Sequence, residues 1–229
     1  MYKILEKTQF SEKVFKFRIE APEMARHAHA GQFLMVRANE RGERVPFTFA
    51  DWNPEEGWVE FIFMVIGKTT TMLSAYEAGD SLQDVTGPLG QPTEMGDGSW
   101  AVIGGGVGLA IAFPVARQLV ASGHEVHAIM GARTKDLLLL EEQFRSILPD
   151  DHIHITTDDG SYGEKGVVTA PLERLLEAKA VDRVFCVGPV PMMKFSTLTA
   201  EKYGTPITAS LNPIMVDGTG MCGCCRVEV

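Results

Sequence analysis

Cysteine is scarce in this chain of 229 residues. There are four, and three of them, Cys222, Cys224 and Cys225, fall within four positions near its end. So small and clustered a set does not make a disulfide framework and fits a reducing compartment. Basic runs are missing too: no five consecutive residues are Lys or Arg, and the net charge is −9, which argues against a nucleic-acid surface. No uncharged apolar run reaches 18 residues, and the first 20 residues alternate polar and apolar instead of forming a leader core. Neither a membrane span nor a secretory leader is expected, and cytoplasmic residence follows as the default. No Gly-x-Ser-x-Gly or other nucleophile setting occurs, and there is no internal repeat or low-complexity tract. With 45% hydrophobic residues the chain can still build a real core, as one large or two modest domains.

What is present changes character near residue 95. Before it, Tyr2, Ile4, Val14, Phe15, Phe17 and Ile19 sit in short segments of period two, and residues 31–38, 46–50, 58–65 and 81–85 supply further strands. Turn residues such as Asn53-Pro54 and Ala78-Gly79-Asp80 separate them, the pattern of a small antiparallel β-barrel. After it, apolar strands at 100–103, 126–130, 153–157 and 183–187 alternate with helical patterns at 109–120, 137–148 and 168–178. Pro114 is expected to kink the first of these helices. Alternating β and α predicts a parallel sheet covered by helices, so the expected fold class is β plus α/β.

Several segments carry chemistry. Gly104-Gly105-Gly106-Val107-Gly108 joins a strand to a helix, which aims backbone amides and the helix dipole at an anion. It is not a strict Gly-x-Gly-x-x-Gly, so both a dinucleotide turn and an ordinary tight βα turn fit it. Arg133, at the end of the next strand where NAD-specific sites place an acid, leans toward a 2′-phosphate or is a solvated arginine. Asp159-Gly160 and Gly188-Pro189-x-x-Met192 follow later strands, where open α/β folds bind ligands. In the β part, Arg44-Val45-Pro46-Phe47-Thr48 combines a cation, a rigid residue and a hydroxyl, and Gly67-Lys68-Thr69-Thr70-Thr71 offers amides, an ammonium and hydroxyls at a helix start. Both suit phosphate, and each is also an ordinary polar loop. The six histidines, in pairs at 27/29, 124/127 and 152/154, read as surface or strand-face residues.

In the tail, Asp217 stands five residues before Cys222, and Cys222 three before Cys225. This is the plant-type iron–sulfur spacing with Asp in the first place. A zinc half-site and a redox dithiol share the Cys-x-x-Cys pattern, but a zinc site needs a second pair, and only Cys186 remains.

Taken together these segments resemble the ferredoxin–NADP reductase superfamily. Arg44-x-Pro46-x-Thr48 resembles its flavin-binding Arg-x-Tyr-Ser/Thr box, with Pro in place of Tyr. The glycine run and the Gly-Pro-x-x-Met turn resemble its nicotinamide half, although Val187 stands where Cys is usual and Cys186 lies one residue earlier. Residues 210–223 are similar to the small subunits of NADH-dependent reduced ferredoxin:NADP oxidoreductase, also known as sulfide dehydrogenase. The electron-transfer subunits of dihydroorotate dehydrogenase type B, close relatives, carry Cys where Asp217 stands.

The resemblance implies an FAD-binding barrel at 1–95, an NAD(P)-binding α/β domain at 96–210 and a partial [2Fe–2S]-binding tail at 211–229. FAD would be held by residues 44, 46–48 and 67–71, and NAD(H), with NADP(H) not excluded, by 104–108, 133, 159, 160, 188, 189 and 192. The cluster ligands would be Asp217, Cys222, Cys225 and a Cys about a dozen residues beyond, past the end of the chain, while Cys224 fills a small-residue slot. The implied activity is electron transfer from NAD(P)H through FAD and the cluster to a larger flavoprotein subunit in a heterodimer, with ferredoxin an indirect partner. No catalytic side chain is expected, because the cofactors carry the chemistry. The dihydroorotate dehydrogenase B subunit and a non-catalytic flavin- or nucleotide-binding module are the alternatives.

Overall fold

Glu12 and Lys13 turn β1 (Tyr2–Ser11) back onto β2 (Val14–Glu20), the first hairpin of an antiparallel sheet. Phe17 and Ile19 are fully buried on β2, and Lys16 and Arg18 project from its other face, the period of two of a strand covered on one side. Then follow α1 (Pro22–His27), β3 (Phe33–Arg37), β4 (Arg44–Asn53), β5 (Trp58–Met64), α2 (Lys68–Ser74), β6 (Ser81–Leu82) and β7 (Asp84–Leu89). The strands lie in the order β6-β1-β2-β5-β4-β3-β7. β6 and β7 hold opposite edges, yet one residue, Gln83, separates them along the chain. In a flat sheet seven strands wide those edges would stand roughly 28 Å apart, far beyond the reach of one linking residue. The sheet therefore curls into a nearly closed barrel.

Aromatic rings fill that barrel. Phe17, Phe49, Phe61 and Phe63 are buried, Phe47 stacks on Phe61 at 4.9 Å between centroids, and Phe17 meets Phe63 edge-on at 5.1 Å. One charge enters the sheet: the buried Glu60 on β5 pairs with Lys16 at 3.0 Å and Arg18 at 2.8 Å on the neighbouring strand. Both cations meet the same carboxylate, which offsets the cost of removing it from water.

The computed structural model describes residues 1–228. They divide into two compact units, residues 1–93 joined by the tail from Asn212, and Glu94–Leu211. The second unit contains β8 (Trp100–Gly105), α3 (Leu109–Ala121), β9 (Val126–Ala132), α4 (Glu141–Ile147), β10 (Ile153–Thr157), β11 (Glu164–Lys165), α5 (Thr169–Glu177), β12 (Arg183–Val187), α6 (Val190–Lys202) and β13 (Ile207–Ala209). Its six strands are parallel, in the order β11-β10-β9-β8-β12-β13. β8 is buried along its whole length, as a strand covered on both faces must be. α5 and α6 contribute Leu172, Leu175, Leu176, Met193 and Ala200 to a core with Ile103, Ile129, Val184 and Cys186.

α3 covers the expected span and continues through Pro114, leaving the Ala110 carbonyl without its helical donor. The helix expected over 137–148 is shorter: a 3₁₀ turn covers Lys135–Leu137, and α4 begins only at Glu141. Four consecutive leucines would wrap around a helix that buries a single stripe. The chain instead buries Leu139 from an extended stretch and turns at Leu140, φ 61°, whose carbonyl accepts the Phe144 N–H at 3.0 Å.

Phe61→Ala should remove about 3–5 kcal/mol of stability by leaving a cavity among three other rings, whereas Ile66→Ala, at a residue 83% exposed, should stay within about 0.5 kcal/mol. Urea unfolding followed by tryptophan fluorescence measures both.

Candidate functional site

In the parallel sheet β9, β10 and β11 extend to one side of β8, and β12 and β13 to the other. The strand order reverses between β8 and β12, the switch point where open α/β sheets form a ligand crevice beyond their carboxyl ends. Both predicted turns lie there. Gly104–Gly108 leaves β8 and leads into α3, and residues 188–192 leave β12 and enter α6. The turns also touch. A Cβ on Gly105 would collide with Met192 Sδ and stand 3.1 Å from Pro189, and one on Gly108 would stand 2.5 Å from the Val187 carbonyl. At Gly108 the obstacle is backbone, so glycine is needed there, whereas at Gly105 it is the movable end of Met192 with the Pro189 ring behind it. Two helices, α3 and α6, start at this edge with their positive dipole ends there, and the space over Gly106 is open. The arrangement suits a pyrophosphate. Cys186, two residues before the turn, faces the core, and burial pushes its thiol up to about 11, so it stays protonated and unreactive near neutral pH.

Arg133 and the Asp159-Gly160 turn end the neighbouring strands. Arg133 is exposed, and its carbonyl accepts the Asp159 N–H at 3.2 Å. The Asp159 carboxylate accepts the Ser161 N–H at 2.9 Å, and its bonds to Ser161 hold it below the usual range. Asp159 thus shapes its own turn.

On the barrel, Arg44, Pro46 and Thr48 share one face of β4, because successive side chains alternate. Phe47 turns the other way, into the aromatic core. The Arg44 guanidinium pairs with Asp84 of β7 at 2.5 Å, a partner 40 positions away that no local pattern announces. In the second polar segment the Thr70 hydroxyl accepts the Ile66 and Gly67 N–H groups at 3.0 and 3.1 Å, closing the loop on itself. Lys68 and Thr71 are exposed, Thr69 is half-buried, and the space over Gly67 is open.

The tail lies against the barrel unit. Gly218, φ 76°, sits so close to Met35 and Leu89 that a Cβ there would stand 2.9 Å from the methionine. Asp217, Cys222 and Cys225 line one pocket of about 330 Å³ with Phe33, Gly90 and Gln91. Asp217 accepts the Thr219 N–H at 2.9 Å and the Cys222 N–H at 3.2 Å, which hold its carboxyl low and ionised. Cys224 is exposed, and the Cys222 beside it pushes its thiol up. One carboxylate and two thiols around a common hollow fit a soft metal centre.

Comparison with known proteins agrees with this architecture. Residues 1–93 match the oxidoreductase FAD-binding domain, and residues 102–197 match the oxidoreductase NAD-binding domain. The chain is 47% identical over 227 residues to the dihydroorotate dehydrogenase B (NAD(+)) electron transfer subunit homolog of Thermotoga maritima, covering 99% of this chain and 79% of that one. It is 31% identical over 232 residues to the dihydroorotate dehydrogenase B electron transfer subunit of Streptococcus mutans, covering 99% and 87%. A solved structure of NADH-dependent reduced ferredoxin-NADP oxidoreductase superimposes with a TM-score of 0.89 at 45% identity, covering 99% of this chain and 81% of the other. The chain therefore belongs to the family of FAD- and NAD-binding electron-transfer oxidoreductase subunits that includes those of dihydroorotate dehydrogenase B.

Proposed function

We propose that this chain is the small subunit of a heterodimer of the NADH-dependent reduced ferredoxin–NADP oxidoreductase type, and that its tail holds a [2Fe–2S] cluster through Asp217, Cys222 and Cys225. When bound, a flavin supplies two-electron hydride chemistry with a nicotinamide, and an iron–sulfur cluster supplies one-electron exchange. The chain's own residues bind and orient. Gly104–Gly108 and the starts of α3 and α6 present amides to the nucleotide pyrophosphate, and Gly188, Pro189 and Met192 form the lip beside it. Arg133 and Asp159-Gly160 flank that crevice from the next strands. Arg44, Pro46 and Thr48 offer one polar strand face to the flavin, and Gly67–Thr71 offers amides and Lys68 to its phosphates.

The observation that carries this reading is the contact between the two glycine turns at the switch point, where Gly108 packs on the Val187 backbone and the space over Gly106 stays open. A second reading, the dihydroorotate dehydrogenase B partner, draws support from the names of the relatives. Asp217, an oxygen donor at the position expected to be Cys in that group, favours the first. Ferredoxin enters either reading only through the larger subunit. Among the described residues no helix is long and apolar enough to cross a membrane.

Anaerobic addition of NADH to flavin-loaded protein should bleach the flavin absorbance; an unchanged spectrum would overturn the assignment. Gly106→Asp, which sets a negative charge over the glycine turn, should raise the KM for NADH at least tenfold, about 1.4 kcal/mol, without changing flavin content. After anaerobic reconstitution with iron and sulfide, Cys222→Ser and Cys225→Ser should lose the visible cluster absorption while Cys224→Ser keeps it. Native mass spectrometry of the complex identifies the larger subunit and so separates the two readings.

A further inference from the structure

At the opposite, amino-terminal edge of the parallel sheet lies a cluster that nucleotide binding does not use. Glu125 and His127 stand at the start of β9, and His152 and His154 at the start of β10. The two strands are parallel neighbours with Ala128 opposite Ile153, which sets His127 level with His152. Period-two alternation then puts 125, 127, 152 and 154 on one face. The His127 ring stacks on His152 at 4.1 Å and on His154 at 5.6 Å, and it is buried. The Glu125 Oε1 lies 3.8 Å from His127 Nε2 and 3.9 Å from His152 Nε2.

One hydrogen bond fixes a tautomer. His152 Nδ1 lies 3.0 Å from the Val126 carbonyl, which can only accept, so Nδ1 carries the proton and Nε2 keeps its lone pair. His127 Nδ1 lies 3.3 Å from His154 Nε2, and the tautomer in which His127 donates leaves its Nε2 bare as well. In that tautomer two bare ring nitrogens stand beside the Glu125 carboxylate. An imidazole fixed through one nitrogen by a carbonyl or a second ring, with the other nitrogen free, is the usual state of a metal-ligating histidine. One donor atom from each of Glu125, His127 and His152 lies within 4.8 Å of the others. Bonds of about 2.0–2.1 Å to a tetrahedral ion need donors about 3.3 Å apart. The two rings lie nearly parallel, so closing on an ion needs rotation of the His152 ring as well as of Glu125, which is 60% exposed at its side chain and leaves an open side for water.

We propose that Glu125, His127 and His152 form a binding site for a divalent transition ion of the zinc class, with His154 orienting His127. Two imidazoles and one carboxylate suit zinc, copper or nickel better than magnesium or calcium, which prefer all-oxygen shells. The ion staples the start of β9 to the start of β10. The site lies at the edge of the sheet opposite the glycine turns, so it is independent of the pyridine-nucleotide site.

The tail thiols would compete for the same ions, so the test uses the full chain with Cys222, Cys224 and Cys225 replaced by Ser. Co²⁺ alone is titrated in, followed by Zn²⁺ in competition. One equivalent of cobalt should bind, with ligand-field absorption but no thiolate charge-transfer band, and zinc should displace it and raise the melting temperature. Removing His127 threatens the sheet itself, so the exposed Glu125→Gln and the half-buried His152→Gln carry the test. Each should weaken zinc binding at least tenfold, the scale at which even outer-shell partners of a metal site count, while leaving the metal-free melting temperature near that of the parent. Stoichiometric binding that neither substitution weakens, or no stoichiometric binding at all, would overturn the proposal.

Discussion

The approach of two turns over adjacent parallel strands is the constraint on which the nucleotide half depends. β8 and β12 are neighbours with their chain directions shared, so both deliver their following turns to the same edge. Those turns meet because Gly105 and Gly108 have no side chain to hold them apart, and because Met192 fills the space that a Cβ would need. The helices then start at the same edge and direct the positive ends of their dipoles there. Such an edge suits an anion.

The barrel solves a different problem. A two-residue hydrogen-bonded edge strand, β6, is joined through Gln83 to the far edge, β7, so closure removes most of the open edge that an antiparallel sheet would otherwise expose. Phe17, Phe47, Phe61 and Phe63 stand on the adjacent strands β2, β5 and β4 and form one aromatic cluster inside, which directs the Arg44, Pro46 and Thr48 face the other way. The same unit seats the tail. Gly218 fits against Met35 and Leu89, and the turn bonds made by Asp217 bring the carboxylate toward the Cys222 backbone. An irregular segment rich in glycine thereby acquires a defined place from the surface on which it lies.

Much of this was legible in the residues. Periodicity alone separates the β half from the α/β half, and the strand at 183–187 keeps its bounds in the structure. The glycine run and the Asp-Cys-Cys spacing are local, so they could be read directly. What escaped reading was of two kinds. α6 has no clear signal in the residues after the Gly188-Pro189 turn, because exposed Phe195 and Leu198 blur its apolar stripe. The leucine run at 137–140 looked helical because it is apolar throughout, yet uniform apolarity carries no period.

Residue type and order set the two-part composition, the places where the chain turns, and the types of donor available: amides, an arginine, a carboxylate and thiols. These are local properties, fixed by spacing within a few positions. Which distant groups meet depends on the folded arrangement. Arg44 finds Asp84, Gly105 finds Met192, Gly218 finds Met35, and His127 finds His152. Strand order and register choose those partners, and both arise from burial of the whole sheet, which no short stretch of chain encodes.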